Sequence, residues 1–173
     1  MADFKLIQHP KYKKYFCDLR GNIYSIIDGK IKVLRQKNEN GYKRVNIYWR
    51  GKYRLLMVHR LIYECHHKMI IGKLIFIDHR DRNPSNNDIE NLRLCNRAEN
   101  QYNSSKQHRP EGCSSRYKGV SWDEGNKKWR ASIRVDGTLR YLGLFDSEKN
   151  AAIQYNRYAV EHAGKFAYLN EVN

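Results

Sequence analysis

Segment 74–103 constrains this chain more than any other part of it. An apolar run, Leu74-Ile75-Phe76-Ile77, stops abruptly at the pair Asp78-His79. A polar loop rich in turn-forming residues follows, then a second short strand, Asn91-Leu92-Arg93-Leu94, and a helical stretch that carries Asn100. Apolar runs this short suit strands rather than helices. Asn96 has the side chain of an N-cap, and Glu99 stands three residues on, where a capping box needs it. The order is therefore strand, loop, strand, helix.

The flanks follow from their turn signals. Residues 1–58 read as β-rich, with turns at Asp28-Gly29, Asn40-Gly41 and Arg50-Gly51-Lys52 between runs that alternate apolar with basic. From His59 to about His67 the apolar spacing is helical. Cys65-His66-His67 looks like a metal cluster, but neighbours on a helix point in different directions. Residues 101–115 turn polar, with Pro110 and Gly112, and predict a linker at 108–115 between a unit at 1–107 and another at 116–173. The second unit shows three strand-like runs, a hairpin turn at Asp136-Gly137, and a helix starting at Asp146-Ser147-Glu148. That helix runs to about His162, with Gly164 as its stop. The expected class is α+β.

Charge narrows the partners. The 173 residues hold 33 Lys+Arg against 18 Asp+Glu, a net of +15. A polyanion is the expected partner, nucleic acid before a membrane surface. Residues 116–173 account for only +3 of that charge, so the N-terminal two thirds carry most of the attraction to phosphate. No apolar run approaches the roughly 20 residues that span a bilayer. The N-terminus lacks the apolar core of a signal peptide, so an intracellular protein is expected, in the cytoplasm of a bacterial host if phage-encoded. Cys17, Cys65, Cys95 and Cys113 are dispersed with no C-x-x-C pair, so no structural zinc is expected and free thiols are.

The chemistry that fits segment 74–103 is phosphodiester hydrolysis. It needs an activated water and charge neutralisation at the phosphate, which a divalent ion supplies. Asp78 is a hard oxygen ligand for Mg²⁺ or Mn²⁺, and an Asn side-chain oxygen suits a second position. His79 is a credible general base at neutral pH. Asp78, His79, Asn91 and Asn100 are the candidates for such a one-metal site.

The pattern Asp78-His79-Arg80-Asp81-Arg82-Asn83-Pro84, Asn86-Asn87, Ile89-Glu90-Asn91-Leu92-Arg93 and Asn96 to Asn100 resembles the HNH endonucleases. It is most similar to phage and intron-encoded homing enzymes in which the last His is replaced by Asn. Val58-His59-Arg60-Leu61 and the early Gly21-Asn22-Ile23-Tyr24-Ser25 resemble the same subgroup. The resemblance implies a ββα-metal fold with its core at about 74–104 and one divalent ion held by Asp78 and Asn100. It also implies that His79 activates water, that Asn91 holds the His79 loop, and that products carry 5′-phosphate and 3′-hydroxyl ends. Arg82 departs from the pattern, standing where the family usually has Gly.

Tyr117-Lys118-Gly119-Val120-Ser121-Trp122, Lys128-Trp129-Arg130-Ala131, Tyr141-Leu142-Gly143-Leu144-Phe145 and the helix after them resemble the Apetala-type (ethylene-response-factor) DNA-binding domain. That implies a three-stranded antiparallel sheet packed on one helix, with the sheet entering the major groove. The implied DNA contacts are Arg116, Lys118, Ser121, Trp122, Arg130, Arg134, Arg140 and Tyr141, joined by Arg82 from the first unit. The expected protein is a monomeric endonuclease acting on double-stranded DNA, of the homing type. The alternatives are a DNA-binding regulator with an inactive nuclease unit and a phage nuclease of low specificity.

Overall fold

The computed structural model describes residues 5–104 and 114–173. Cys113 and residues 108–113 of the expected linker lie outside the described residues. Contacts divide the chain into two compact units, Met1–Cys95 and Asn96–Asn173.

The first unit holds strands β1 (Ile7–Gln8), β2 (Tyr15–Cys17), β3 (Ile23–Ile27) and β4 (Lys30–Val33), which form one antiparallel sheet in that order. Strands β5 (Gln36–Glu39), β6 (Tyr42–Trp49) and β7 (Lys52–Met57) form a second. The turns between these strands are where the sequence placed them. Asp28-Gly29, Asn40-Gly41 and Arg50-Gly51 all have positive φ at both residues, the backbone that matches strand twist in a two-residue hairpin.

Helix α1 (Val58–His67) follows β7 directly and buries Val58, Leu61, Ile62 and Cys65 in one core with Cys17, Ile23, Val45, Ile47, Ile77 and Leu92. Each such aliphatic side chain contributes about 1.5–3 kcal/mol on burial. Lys68, left-handed at φ 51, ends the helix. Cys65 is buried, His66 half-buried and His67 exposed against Tyr63, so the three diverge around the helix as their adjacency requires. Two side chains of α1 then fix the approach to the next strand. The Arg60 guanidinium donates to the Ile71, Gly72 and Ile75 carbonyls, and Glu64 accepts from the Ile71 N–H. That strand, β8 (Phe76–His79), pairs antiparallel with β9 (Leu92–Cys95).

The second unit opens with α2 (Arg97–Asn103), whose Asn96–Glu99 capping box is present in both directions. Strands β10 (Val120–Asp123), β11 (Lys128–Val135) and β12 (Thr138–Phe145) form an antiparallel sheet in that order. Helix α3 (Glu148–Ala163) buries Ala151, Ala152, Tyr155 and Ala159, in clusters with Val120, Ala131 and Ile133 of the sheet. Gly119 has a packing reason to be Gly. A Cβ there would sit 2.2 Å from the Tyr155 ring and 2.5 Å from the Ser132 carbonyl.

The boundary at Cys95/Asn96 lies well before the expected 108–115, for a physical reason. Lys118 Nζ donates to the carbonyls of Gln101, Tyr102 and Ser104, and the Tyr168 N–H donates to the Tyr102 carbonyl. These bonds satisfy the C-terminal end of α2 from within the second unit. Among the described residues no helix is long and apolar enough to cross a membrane.

Candidate active site

The β8–β9 ladder pairs Asp78 with Arg93 and His79 with Leu92. Asp78 and His79 sit at the end of β8, each only 5% exposed. Cross-strand partners share a face, so Arg93 reaches Asp78 directly. Its Nε lies 2.7 Å, and its terminal nitrogen also 2.7 Å, from Asp78 Oδ2. Arg93 is itself only 8% exposed. Both are desolvated, so this is a buried, doubly hydrogen-bonded charge pair. Sequence reasoning gave Arg93 no role, because cross-strand register is a long-range property.

The loop between the strands is built by side chains. Asp81 Oδ1 accepts from the Asn83 N–H and from Asn91 Nδ2, while Oδ2 accepts from Asn86 Nδ2. Asn91 answers with its own oxygen, which accepts from the Asp81 N–H at 2.9 Å. Its Nδ2 also donates to the Asn86 carbonyl, and its backbone carbonyl accepts from the Arg80 N–H. Asn91 thus closes the loop that leaves His79 at three separate points. Desolvation pushes the Asp81 carboxyl up, but the bonds from Asn86, Asn83 and Asn91 outweigh it and hold it below the ordinary carboxylate value. Asp88 caps the 3-10 turn that ends in Asn91. Arg82 has φ 64, so the left-handed turn favoured by Gly is kept here with an exposed Arg in it.

His79 is enclosed on its sides. Its Nε2 lies 3.2 Å from Asn87 Oδ1, and Asn87 is 3% exposed. The His59 ring meets it edge to face at 5.2 Å, and Tyr42 lies 6.1 Å away. Burial pushes the His59 imidazole down to about 3, with His79 and Arg60 adding to the effect, so His59 is uncharged at neutral pH. Among the described residues, His59 Nδ1 and Asn87 Nδ2 are buried with no hydrogen-bond partner. Each such atom costs about 1–3 kcal/mol. Two of them beside one histidine mark a site shaped for something other than stability alone.

Asp78, His79 and Asn91 are therefore brought together by one strand pair and its loop. Asn100 lies exposed on α2, in the second unit. The Asp78 carboxylate is a hard oxygen donor of the kind that suits a divalent ion. Among the described residues no group of three or more His, Cys, Asp or Glu is arranged around a metal position.

The implied DNA contacts of the second unit divide by register. Ser121 pairs with Arg130 and Ser132 with Tyr141, and Arg134 follows on the same face. Arg130, Arg134 and Tyr141 are exposed there, with Arg134 bonded to the Gly137 carbonyl. The two-residue turn at Asp136-Gly137 puts Arg140 opposite Ile133, which packs with α3, while Arg140 itself is exposed. Trp122 pairs with Trp129 on that same side and donates to Glu124. Arg116 is exposed and lies over the Tyr117 ring. Lys118 is half-buried, with its ammonium engaged at the end of α2.

Residues 56–102, which include Asp78, His79, Asn91 and Asn100, match the family model of the HNH endonucleases. Among curated proteins, the chain is 34% identical over 121 residues to an uncharacterized HNH endonuclease of Acanthamoeba polyphaga mimivirus, covering 68% of this chain and 59% of that protein. It is 37% identical over 67 residues to Protein 3.8 of Escherichia phage T7, covering 39% of this chain and 53% of that protein. The chain thus spans little more than half the length of these relatives. A solved structure titled for DNA binding and cleavage by the HNH homing endonuclease I-HmuI is similar at 29% identity and a TM-score of 0.45, covering 53% of this chain and 52% of that one. The segment carrying Asp78, His79 and Asn91 matches the HNH endonuclease model, and the chain is similar over 121 residues to a protein named as an HNH endonuclease.

Proposed function

We propose that this protein is a metal-dependent HNH endodeoxyribonuclease of the homing type, cutting or nicking double-stranded DNA at a preferred site. One observation carries the reading: a buried Asp78-His79 pair at a strand end, within the matched HNH segment, on a loop closed by Asn91.

Asp78 and Asn100 would hold one divalent ion, Mg²⁺ or Mn²⁺. When bound, that ion polarises the phosphoryl oxygen and shields charge on the leaving oxygen. His79 accepts a proton from water as its oxygen attacks phosphorus. The P–O3′ bond breaks and the 3′-oxygen takes up a proton, leaving 5′-phosphate and 3′-hydroxyl ends. Asn91 keeps His79 in place through the loop, so the base meets the water without reorganisation. Arg93 holds Asp78 in its rotamer from the neighbouring strand.

Binding is assigned to two surfaces. The first is the basic N-terminal two thirds, including exposed Arg82, which contact phosphates and set orientation. The second is the Ser121, Arg130, Arg134 and Tyr141 face of the C-terminal sheet, with Arg116 beside it, which adds site preference in the manner of an Apetala-type domain. A monomer reading one site nicks one strand.

The test is a supercoiled plasmid carrying the gene's own flanking sequence, incubated with Mg²⁺ or Mn²⁺. Conversion to open-circle or linear DNA that EDTA abolishes, with ends that ligase can rejoin, is the expected result. Tight binding without any cutting would favour a DNA-binding regulator. Cutting at many unrelated positions would favour a nuclease of low specificity.

A further inference from the structure

Asn87 lies inside the HNH segment, but its side chain belongs to none of the loop-closing bonds. Asp81, Asn83, Asn86 and Asn91 bond one another, whereas Asn87 turns to His79. An amide oxygen only accepts, so the contact at 3.2 Å is a hydrogen bond in the tautomer that carries its hydrogen on that ring nitrogen. That tautomer places the imidazole proton on Nε2 and the lone pair on Nδ1. The other end of the Asn87 amide, Nδ2, is buried without a partner among the described residues. Nothing at that end holds the side chain, so its packing must.

The packing comes from the N-terminal sheet. A Cβ on Gly21 would lie 2.9 Å from Asn87 Cβ and 3.1 Å from its carbonyl oxygen, so the two backbones meet at a distance open only to glycine. Gly21 is held at φ 86 by the turn around Asp18. The Asp18 carboxylate accepts from the N–H groups of Arg20 and Asn22, from Asn22 Nδ2 and from the Tyr24 hydroxyl. Gln36 Nε2 donates to the Gly21 carbonyl, and the Ile89 N–H donates to the Leu19 carbonyl. Turn 18–22 is thus a fixed shelf beneath Asn87.

We propose that Asn87 is a positioning residue for the hydrolysis: seated on Gly21, it holds His79 in the Nε2–H tautomer and so makes Nδ1 the atom that takes the proton from water. This rests on the reading of His79 as the base. An amide orients the ring without adding negative charge beside an anionic substrate, which a carboxylate in the same place would do. His59, uncharged and edge-on to the same ring, confines it from the side without competing for the proton.

The test has two independent arms on the full chain. Long-range ¹⁵N–¹H correlation spectra at a pH of about 8, above the ordinary histidine range of roughly 6.5, report the tautomer of His79. Its signal is identified by loss in His79→Ala. The wild type should show Nε2–H, and Asn87→Ala should show a mixture of tautomers. In DNA cleavage, Asn87→Ala should lower kcat by about 10–100-fold, the usual cost of losing an orienting partner, with KM and DNA affinity within about twofold. Asn87→Asp keeps an accepting oxygen in place and should restore the Nε2–H tautomer in the spectra, while its added charge keeps cleavage below the wild-type rate. Gly21→Ala, checked for an intact fold by its amide spectrum, should shift the tautomer in the same direction.

A wild-type His79 protonated on Nδ1, or an Asn87→Ala protein with unchanged tautomer and kcat, would overturn the proposal. A wild type that cuts no DNA would instead sink the nuclease reading, and the spectra would still decide the role of Asn87.

Discussion

Replacing Arg93 with Ala tests how the site is held together. Asp78 and Arg93 are both more than nine-tenths buried, and two nitrogens of the guanidinium contact Asp78 Oδ2 at 2.7 Å. Removing the arginine leaves the carboxylate desolvated with its cation gone. Breaking a buried pair from one side costs about 3–5 kcal/mol. A small domain has roughly 5–15 kcal/mol in total, so the variant should lose about a fifth or more of the first unit's stability. The double variant Asp78→Asn/Arg93→Met removes both charges and keeps the arginine's stem volume. It should cost clearly less than the sum of the single variants, with a coupling of about 1–3 kcal/mol. Urea unfolding with amide exchange read at Ile77 and Leu94 confines the measurement to the β8–β9 ladder. A cost below about 1 kcal/mol for Arg93→Ala, or strict additivity in the double variant, would refute the argument, since both are the behaviour of a solvated pair.

Three further outcomes follow from local geometry. Gly119→Ala should destabilise the second unit by about 2–4 kcal/mol, adding overpacking against Tyr155 to a left-handed backbone, as read by thermal melting. Arg82→Gly relieves a left-handed non-glycine at a cost in unfolded-chain entropy, so stability should change by no more than about 1 kcal/mol. A loss larger than that would give the Arg82 side chain a structural role. The third concerns pH. His59 is depressed to about 3, so its contribution to stability is complete above the ordinary histidine value near 6.5 and is lost as pH falls toward 3. The first unit should lose about 1.4 kcal/mol per pH unit across that window, and His59→Gln should flatten the slope; an unchanged slope would mean that His59 does not titrate there.

What the sequence revealed and what it hid follow from the range of the interactions. The hairpin turns and the Asn96–Glu99 box are contacts between near neighbours, so residue type alone placed them. The loop-holding role of Asn91 came from the family resemblance, and its bonds to Asp81 and Asn86 stay within the same loop. Arg93 depends on which strand residue faces Asp78, and no local pattern states that. Asn87 depends on a glycine in a different sheet. The face on which Arg140 lies follows from the two-residue turn Asp136-Gly137, which pairs Val135 with Thr138 and so Ile133 with Arg140. The division at Cys95/Asn96 was hidden because Lys118, read as a DNA contact, binds the carbonyls of α2.

The claim that His79 is the hydrolytic base is tested most directly by His79→Ala, with cleavage and binding measured on the same DNA and the fold checked by its amide spectrum. Removing a general base lowers the rate by about 10²–10⁴-fold, while the basic surfaces and the bound ion are untouched. Cleavage should fall by at least that factor, with DNA affinity unchanged within about twofold. Cleavage at the wild-type rate, or loss of binding with the fold intact, would contradict it.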